Sequence, residues 1–212
     1  MADNLNIQEF FDEDTSTLSY IVYDPSTLDG VIIDPVLNFH PGDKSVSYES
    51  IEALLDFINS HNLKIHYILD THIHADHLTG AALLKESLPS SKMGIGALDE
   101  ESITHFKEKF PHFKQLPYDL LLNENDRLDS GSFSIEVLKT PGHTASCVSY
   151  KINENVFTGD VIFIPDSGTG RCDFPGGDSK EMYNSIKNKL YSLPNHFNIY
   201  VGHDYSPNGR AM

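Results

Sequence analysis

The chain has 212 residues, 39% hydrophobic and 22% charged, a globular composition whose length leads us to expect one domain over 1–212. Asp and Glu number 31 against 15 Lys and Arg, a formal net charge of −16, and only Arg127, Arg171 and Arg210 are arginines. Nucleic acid and anionic membranes are therefore poor partners. The two cysteines cannot make a disulfide framework. The opening MADNLNIQEFFDEDTS has the features of neither a signal nor a transit peptide, and no apolar run approaches the ~18 residues that span a bilayer, so a cytoplasmic location is expected.

In chain order, β-branched and aromatic runs predict strands over 18–23 and 31–33, separated by the turn sequence Asp24-Pro25-Ser26 and followed by a Pro/Gly loop over 35–43. Ile51, Leu54, Leu55 and Ile58 recur at helical spacing and predict a helix over 48–60. A strand over 65–69 runs into Thr71-His72-Ile73-His74, and a helix is expected over 78–88, ended by Pro89. A strand over 92–95 and a charged helix over 99–110 come next. Strands over 133–138, 147–152 and 156–158 repeat the theme in the second half. Asp178-Ser179-Lys180-Glu181 has capping-box form and opens a helix with Met182, Ile186, Leu190 and Leu193 inward. A last strand, 199–201, leads to Gly202-His203. Periodicity alone supports a mixed α/β fold.

The strongest segment is Thr71-His72-Ile73-His74-Ala75-Asp76-His77, with four metal-ligating side chains in six positions after an apolar strand. At a strand end, His72 and His74 share a face, and Asp76 and His77 come round from the loop at the helix entrance. Imidazoles with carboxylates suit zinc, iron or manganese better than calcium. Three more residues follow strands: His143 in Thr140-Pro141-Gly142-His143-Thr144, Asp160 in Thr158-Gly159-Asp160, and His203 in Val201-Gly202-His203-Asp204-Tyr205. Singly each reads as an ordinary turn residue; with the first cluster they converge as ligands.

THxHxDH, PGHT, TGD and a late GHD, in this order over almost the whole chain, resemble the metallo-β-lactamase superfamily. Within it the chain is most similar to the persulfide dioxygenases, which share the glyoxalase II fold but not its chemistry; the segment 33–37 and the run GTGRCDFPGGD also carry this resemblance, the latter to the bacterial sulfide-detoxification branch. Ala145-Ser146 departs from the Pro-Gly of animal-type enzymes, and Pro165-Asp166 lies in a loop that differs there. The resemblance implies a four-layer αββα sandwich with the site on one edge between the sheets. It also implies one ferrous iron per chain held by His72, His143 and Asp160, a facial triad that leaves three positions open. His74, Asp76, His77 and His203 would orient ligands and water; in dinuclear hydrolases of the superfamily they hold two zinc ions, with Asp160 bridging. Glyoxalase II-type thioesterases have a further His three residues after the Thr of PGHT and a longer C-terminal region; here Cys147 takes that place and the chain stops at Met212.

The implied reaction oxidises glutathione persulfide, or another low-molecular-weight persulfide, with dioxygen to sulfite and free thiol. Arg171 matches the family's substrate-loop arginine and would bind a carboxylate, the rival being an ion pair to Asp173. Tyr205 could donate its hydroxyl to substrate or oxidant, the rival being a buried structural tyrosine. Arg210 is expected to be solvated and Arg127 to sit in a turn-region ion pair. Cys147 is expected in the core and Cys172 without a catalytic role. His40, His61, His66, His105, His112 and His196 lack ligand company. A zinc hydrolase acting on a thioester, lactone or β-lactam and a non-catalytic metal-binding module are the competing readings. Family analogy adds a homodimer.

Overall fold

The computed structural model describes residues 4–40, 42–74, 76–98, 104, 118–174 and 176–206. Strand β2 (Thr17–Tyr23) reveals the architecture, because every residue in it is buried. Side chains alternate across a strand, so both of its faces must be covered. Leu18, Tyr20 and Val22 enter one apolar cluster, Ile21 and Tyr23 another. The strand lies second in a six-stranded sheet of order β1 (Asn6–Asp12), β2, β3 (Asp29–Ile33), β6 (Lys64–Leu69), β8 (Lys92–Gly96) and β9 (Leu120–Leu122). Pairing is antiparallel from β1 to β3 and parallel beyond. The second sheet runs β10 (Arg127–Asp129), β11 (Ser134–Lys139), β12 (Val148–Ile152), β13 (Asn155–Phe157) and β14 (Asn198–Tyr200), antiparallel except between β13 and β14.

The two sheets pack face to face. Leu18, Tyr20, Val22, Val31 and Ile33 meet Ile135, Val137, Val148, Tyr150 and Ile152 in the central core. The outer face of the first sheet places Ile21, Ile32, Ile65 and Ile68 against Ile51, Leu54 and Ile58 of α1 (Glu49–His61) and Ala81 and Leu84 of α2 (Ala81–Ser87). The outer face of the second is covered by α3 (Ser179–Ser185), whose Met182 packs with Val156 and Cys147. This is the αββα sandwich. Each fully buried large aliphatic side chain contributes ~1.5–3 kcal/mol by leaving water. Asp178 caps α3, accepting from the Lys180 and Glu181 amides at 2.7 and 3.0 Å. A π-helical turn, Ile186–Leu190, then extends the helix and buries Leu190, with Ile186 and Leu193 half-buried beside it.

Several expectations need correction. The Pro/Gly loop expected over 35–43 contains β4 (Val36–His40), which pairs with β5 (Ser45–Ser47) and β7 (Leu78–Thr79) in a small third sheet. The helix expected from residue 78 begins only at Ala81 for the same reason. Leu37 and Val36 pair with Leu78 and Thr79, the Gly80 amide donates to the Pro35 carbonyl at 2.7 Å, and Leu78 is exposed. Long-range pairing overrides local pattern here. β1, β9 and β10 were not anticipated; Arg127 lies in β10, where its ion pair at 3.6 Å is to its cross-strand partner Glu136. The helix expected over 99–110 lies, Thr104 apart, outside the described residues, as do Arg210, His105 and His112. Among the described residues no helix is long and apolar enough to cross a membrane.

Candidate metal centre

Four strands deliver side chains to one edge of the sandwich from their C-terminal ends. β6 runs into Asp70–His77, β11 into the turn carrying His143, β13 into a 3-10 turn carrying Asp160, and β14 into His203. Two glycines make the approach possible. Gly159 has φ +51, and a Cβ on it would lie 2.3 Å from Thr71 Oγ1; a Cβ on Gly202 would lie 2.6 Å from Asp160 Oδ1. The sheets are tied together at this edge: the Val148 amide donates to the Thr71 carbonyl at 2.9 Å, and the Tyr150 hydroxyl to the Asp70 carbonyl at 2.7 Å.

All seven sequence-predicted metal residues come together. Ligand atoms of His72, His143 and Asp160 lie within 4.8 Å of one another, and so do those of His74, Asp76 and His77. Asp160 spans the two groups. Its Oδ2 is 3.9 Å from His72 Nε2 and 3.6 Å from His143 Nε2, whereas its Oδ1 is 3.3 Å from His203 Nε2. His203 Nε2 is also 3.2 Å from Asp76 Oδ2. The His74 ring is centred 4.2 Å from both the His72 and His77 rings.

Hydrogen bonds decide which nitrogen each imidazole turns inward. Asp34, held at φ +48 after β3, accepts from the Thr71 amide at 2.7 Å and from its hydroxyl at 2.8 Å. The Thr71 oxygen, its proton committed to Asp34, accepts from His72 Nδ1 at 3.0 Å, which leaves His72 Nε2 for a metal. His143 Nδ1 donates to the Arg171 carbonyl at 2.7 Å and His203 Nδ1 to the Ser16 carbonyl at 3.2 Å, with the same result. Thr17 Oγ1 lies 3.5 Å from His77 Nδ1 and 3.4 Å from His203 Nδ1. His74 is the exception. Its Nε2 faces Asp34 at 3.3 Å and Asp70 at 3.9 Å, outside hydrogen-bond geometry, so Nδ1 is the nitrogen it can offer. Asp34, Asp70 and His74 also cluster within 4.8 Å, but both oxygens of each carboxylate are already engaged. Asp34 holds Thr71, and Asp70 accepts from Thr79 at 3.0 Å and from the Tyr118 hydroxyl at 2.5 Å. They support the site rather than form one.

The donor set fits a metal on a direct observation. His72 Nε2, both ring nitrogens of His74, His77 Nε2 and Asp160 Oδ1 are buried with no hydrogen-bond partner, and Ser130 Oγ alone joins them from elsewhere among the described residues. Each such atom costs ~1–3 kcal/mol unless something ligates it. Electrostatics agree at three of the imidazoles, His72, His77 and His203. Burial and the neighbouring imidazoles push His72 far below the ordinary range, so it stays neutral. Burial and the charge on His74 also lower His77, and burial lowers His203. Burial opposes protonation of His74, but the carboxylates of Asp34 and Asp70 raise it to about 9. Burial pushes Asp160 up to about 7 and Asp70 up to about 6. For Asp76 burial is outweighed by His77, which holds the carboxyl below the usual range.

The two substrate candidates sit at the rim. The Arg171 side chain is 68% exposed and pairs with Asp173, Nε to Oδ1 at 3.0 Å, while its guanidinium lies 4.4 Å above the Phe174 ring. Tyr205 is exposed, which removes the buried structural reading, and stacks on His203 at 5.3 Å with its edge to Phe163. Burial pushes its phenol up to about 12. Cys147 is a core residue whose thiol burial raises to about 12, and its sulfur accepts from the Thr144 amide at 3.3 Å. Sequence reasoning gave no role to Asp34, Asp70, Thr17 or Phe174. An acid placed directly after an apolar strand, as Asp34 and Asp70 are, was the available signal; Phe174 lay within the run GTGRCDFPGGD without a role of its own, and nothing marked Thr17.

A model of the metallo-beta-lactamase superfamily matches residues 13–203, and the chain belongs to that superfamily. It is 39% identical to the beta-lactamase hydrolase-like protein of Agrobacterium fabrum, over 97% of this chain but 48% of the relative, so it spans about half that protein's length. Glyoxylase B2 of Dictyostelium discoideum is 37% identical over 100% of this chain and 74% of its own. The mitochondrial persulfide dioxygenase ETHE1 of Homo sapiens is 32% identical over 94% of this chain and 68% of its own. Among solved structures, ETHE1 from Myxococcus xanthus superposes with a TM-score of 0.78 at 29% identity, covering 96% of this chain and 78% of that one.

Proposed function

We propose that the chain is a non-haem iron persulfide dioxygenase: RSSH + O2 + H2O → RSH + SO3²⁻ + 2 H⁺, with glutathione persulfide or a similar small persulfide as RSSH. The observation that carries this reading is the convergence of His72 Nε2, His143 Nε2 and Asp160 Oδ2 in a chain 32% identical to a persulfide dioxygenase over 94% of its length. Those three residues would hold ferrous iron, which when bound supplies the redox chemistry joining dioxygen to the terminal sulfur.

The protein's own residues then have defined tasks. His72 and His143 present Nε2 because the Thr71 oxygen and the Arg171 carbonyl engage their Nδ1 atoms. His74, Asp76, His77 and His203 complete the polar wall, with His203 Nε2 3.3 Å from Asp160 Oδ1. Arg171 would take a substrate carboxylate bidentately in exchange for Asp173. Tyr205, raised to about 12, remains protonated at neutral pH and is available to donate to the bound anion.

A dinuclear hydrolase of the glyoxalase II kind is the second reading. It is favoured by the second ligand group, His74, Asp76 and His77, and by the relationship to Glyoxylase B2. Metal analysis of anaerobically purified protein, with oxygen uptake on glutathione persulfide, separates the two. About one iron per chain and persulfide-dependent uptake support the dioxygenase. Two zinc ions with thioester cleavage and no uptake overturn it.

A further inference from the structure

Residues 170–174 and 176–178 flank two of the three proposed iron ligands. The Gly170 amide donates to the Asp160 carbonyl at 3.1 Å, and the Arg171 carbonyl takes the His143 Nδ1 proton at 2.7 Å. The Asp178 amide donates to the Gly142 carbonyl at 2.9 Å, beside His143. Within this wrap, Phe174 makes two contacts. Its ring meets the His143 imidazole nearly edge to face, centroids 5.0 Å apart at 72°. Its other partner is the Arg171 guanidinium, 4.4 Å from the ring centroid.

We propose that Phe174 is a positioning residue that fixes the His143 imidazole and couples it to an anion-binding guanidinium at the surface. The geometry favours this over a purely space-filling role. His143 is held in its tautomer by a single backbone carbonyl, and its buried ring is packed edge to face by two rings, His72 at 4.9 Å and 90° and Phe174 at 5.0 Å and 72°. Of these two rings Phe174 lies on the solvent-side wrap and outside the ligand set, so it can fix the imidazole without itself binding a metal. The carbonyl belongs to Arg171, the same residue whose charge lies over Phe174. Replacing the Asp173 carboxylate at Arg171 by a ligand carboxylate therefore acts on His143 along two routes, through the Arg171 backbone and through the Phe174 ring. The metal centre acquires a readout of whether an anion occupies its rim. That the anion is a carboxylate of a glutathione-like substrate rests on the function proposed above; the positioning of His143 does not.

The test uses the full chain loaded with Co2+, whose visible bands report ligand geometry, and needs no turnover. Phe174→Leu should weaken Co2+ binding about 10- to 100-fold in chelator competition and shift the visible bands, and Phe174→Tyr should restore both. Wild-type affinity and bands in a cooperatively melting Phe174→Leu protein overturn the proposal. If Phe174→Leu does not melt cooperatively, the coupling arm decides. S-methylglutathione, which has the carboxylates but no thiol, should shift the Co2+ bands of the wild type and not those of Arg171→Met. An equal shift in both, or none in the wild type, overturns it. A chain that binds Co2+ as expected yet consumes no oxygen with persulfide would sink the dioxygenase reading and leave Phe174 in place.

Discussion

The metal centre has two unlike walls. The wall after β6 is buried and wired: Asp34 grips Thr71, Thr71 orients His72, and Asp70 is held by Thr79, Tyr118 and, through its carbonyl, Tyr150. The wall formed by 170–174 and 176–178 is half open, and the charges of Arg171 and Asp173 on it are largely in water. A buried carboxylate must be satisfied in one geometry, because leaving it unpaired costs several kcal/mol (~2–5). An exposed pair is worth only ~0.2–1 kcal/mol and exchanges partners readily. One wall is therefore suited to holding a metal, the other to meeting whatever arrives from solution.

Mutations should separate these walls by size of effect. Asp160→Ala, which removes the group facing both ligand clusters, should lower metal affinity by well over ~100-fold, measured by chelator competition. Retained stoichiometric metal would contradict its assignment as a ligand. Asp34→Ala deletes two hydrogen bonds to a buried carboxylate, each worth ~1.5–3 kcal/mol. Calorimetry should show a loss of about 3 kcal/mol and a Tm lower by roughly 6–12 °C. An unchanged Tm would mean that the buried wall is not wired through Asp34.

Acid provides the next test. Asp160, raised by burial to about 7, must give up its proton to ligate a metal. Affinity should therefore hold above that pH and fall by about tenfold per unit below it, as read by Co2+ titration at pH 8, 7 and 6. The metal-free chain responds in the opposite sense. A carboxyl that keeps its proton longer folded than unfolded adds stability as pH falls from about 7 towards 4. Melting with and without metal across this range would show the two trends crossing.

The open wall should give smaller effects confined to substrate. Arg171→Ala should raise KM about 5- to 10-fold and leave metal content intact, because its backbone carbonyl still serves His143. Loss of metal with KM unchanged would reverse the contrast. Asp173→Asn, which removes the internal competitor for Arg171, should lower KM by about 2-fold, in keeping with an exposed pair.

The same contrast explains what could be read from sequence. His72, His74, Asp76, His77, His143, Asp160 and His203 were legible because ligand-type residues at strand ends form a pattern whatever surrounds them. The central strands and α1 were legible because burial imposes a period of two or of 3.6. Asp34 and Thr17 act through hydrogen bonds to residues far along the chain, and no local window contains both partners. β4 and β7 exist because each supplies the other's edge, and β9 and β10, three residues each, are too short to show alternation. Arg171 was read as either a substrate contact or a partner of Asp173; the structure forms the second, and the first is its proposed exchange.

One connection bears on how the molecule is made. Leu18 donates its amide to the Gly202 carbonyl at 2.8 Å, and His203 bridges to Thr17 and bonds Ser16. The start of β2 and the segment after β14 are neighbours in space though 186 positions apart in the chain, as the Thr17–His203 contact shows. Closing so long a loop is among the slowest steps in folding. While the chain is still emerging from the ribosome, the segment carrying His203 is the last of the site to be released. The seven-residue cluster is therefore complete only once the end of β14 has docked against the start of β2.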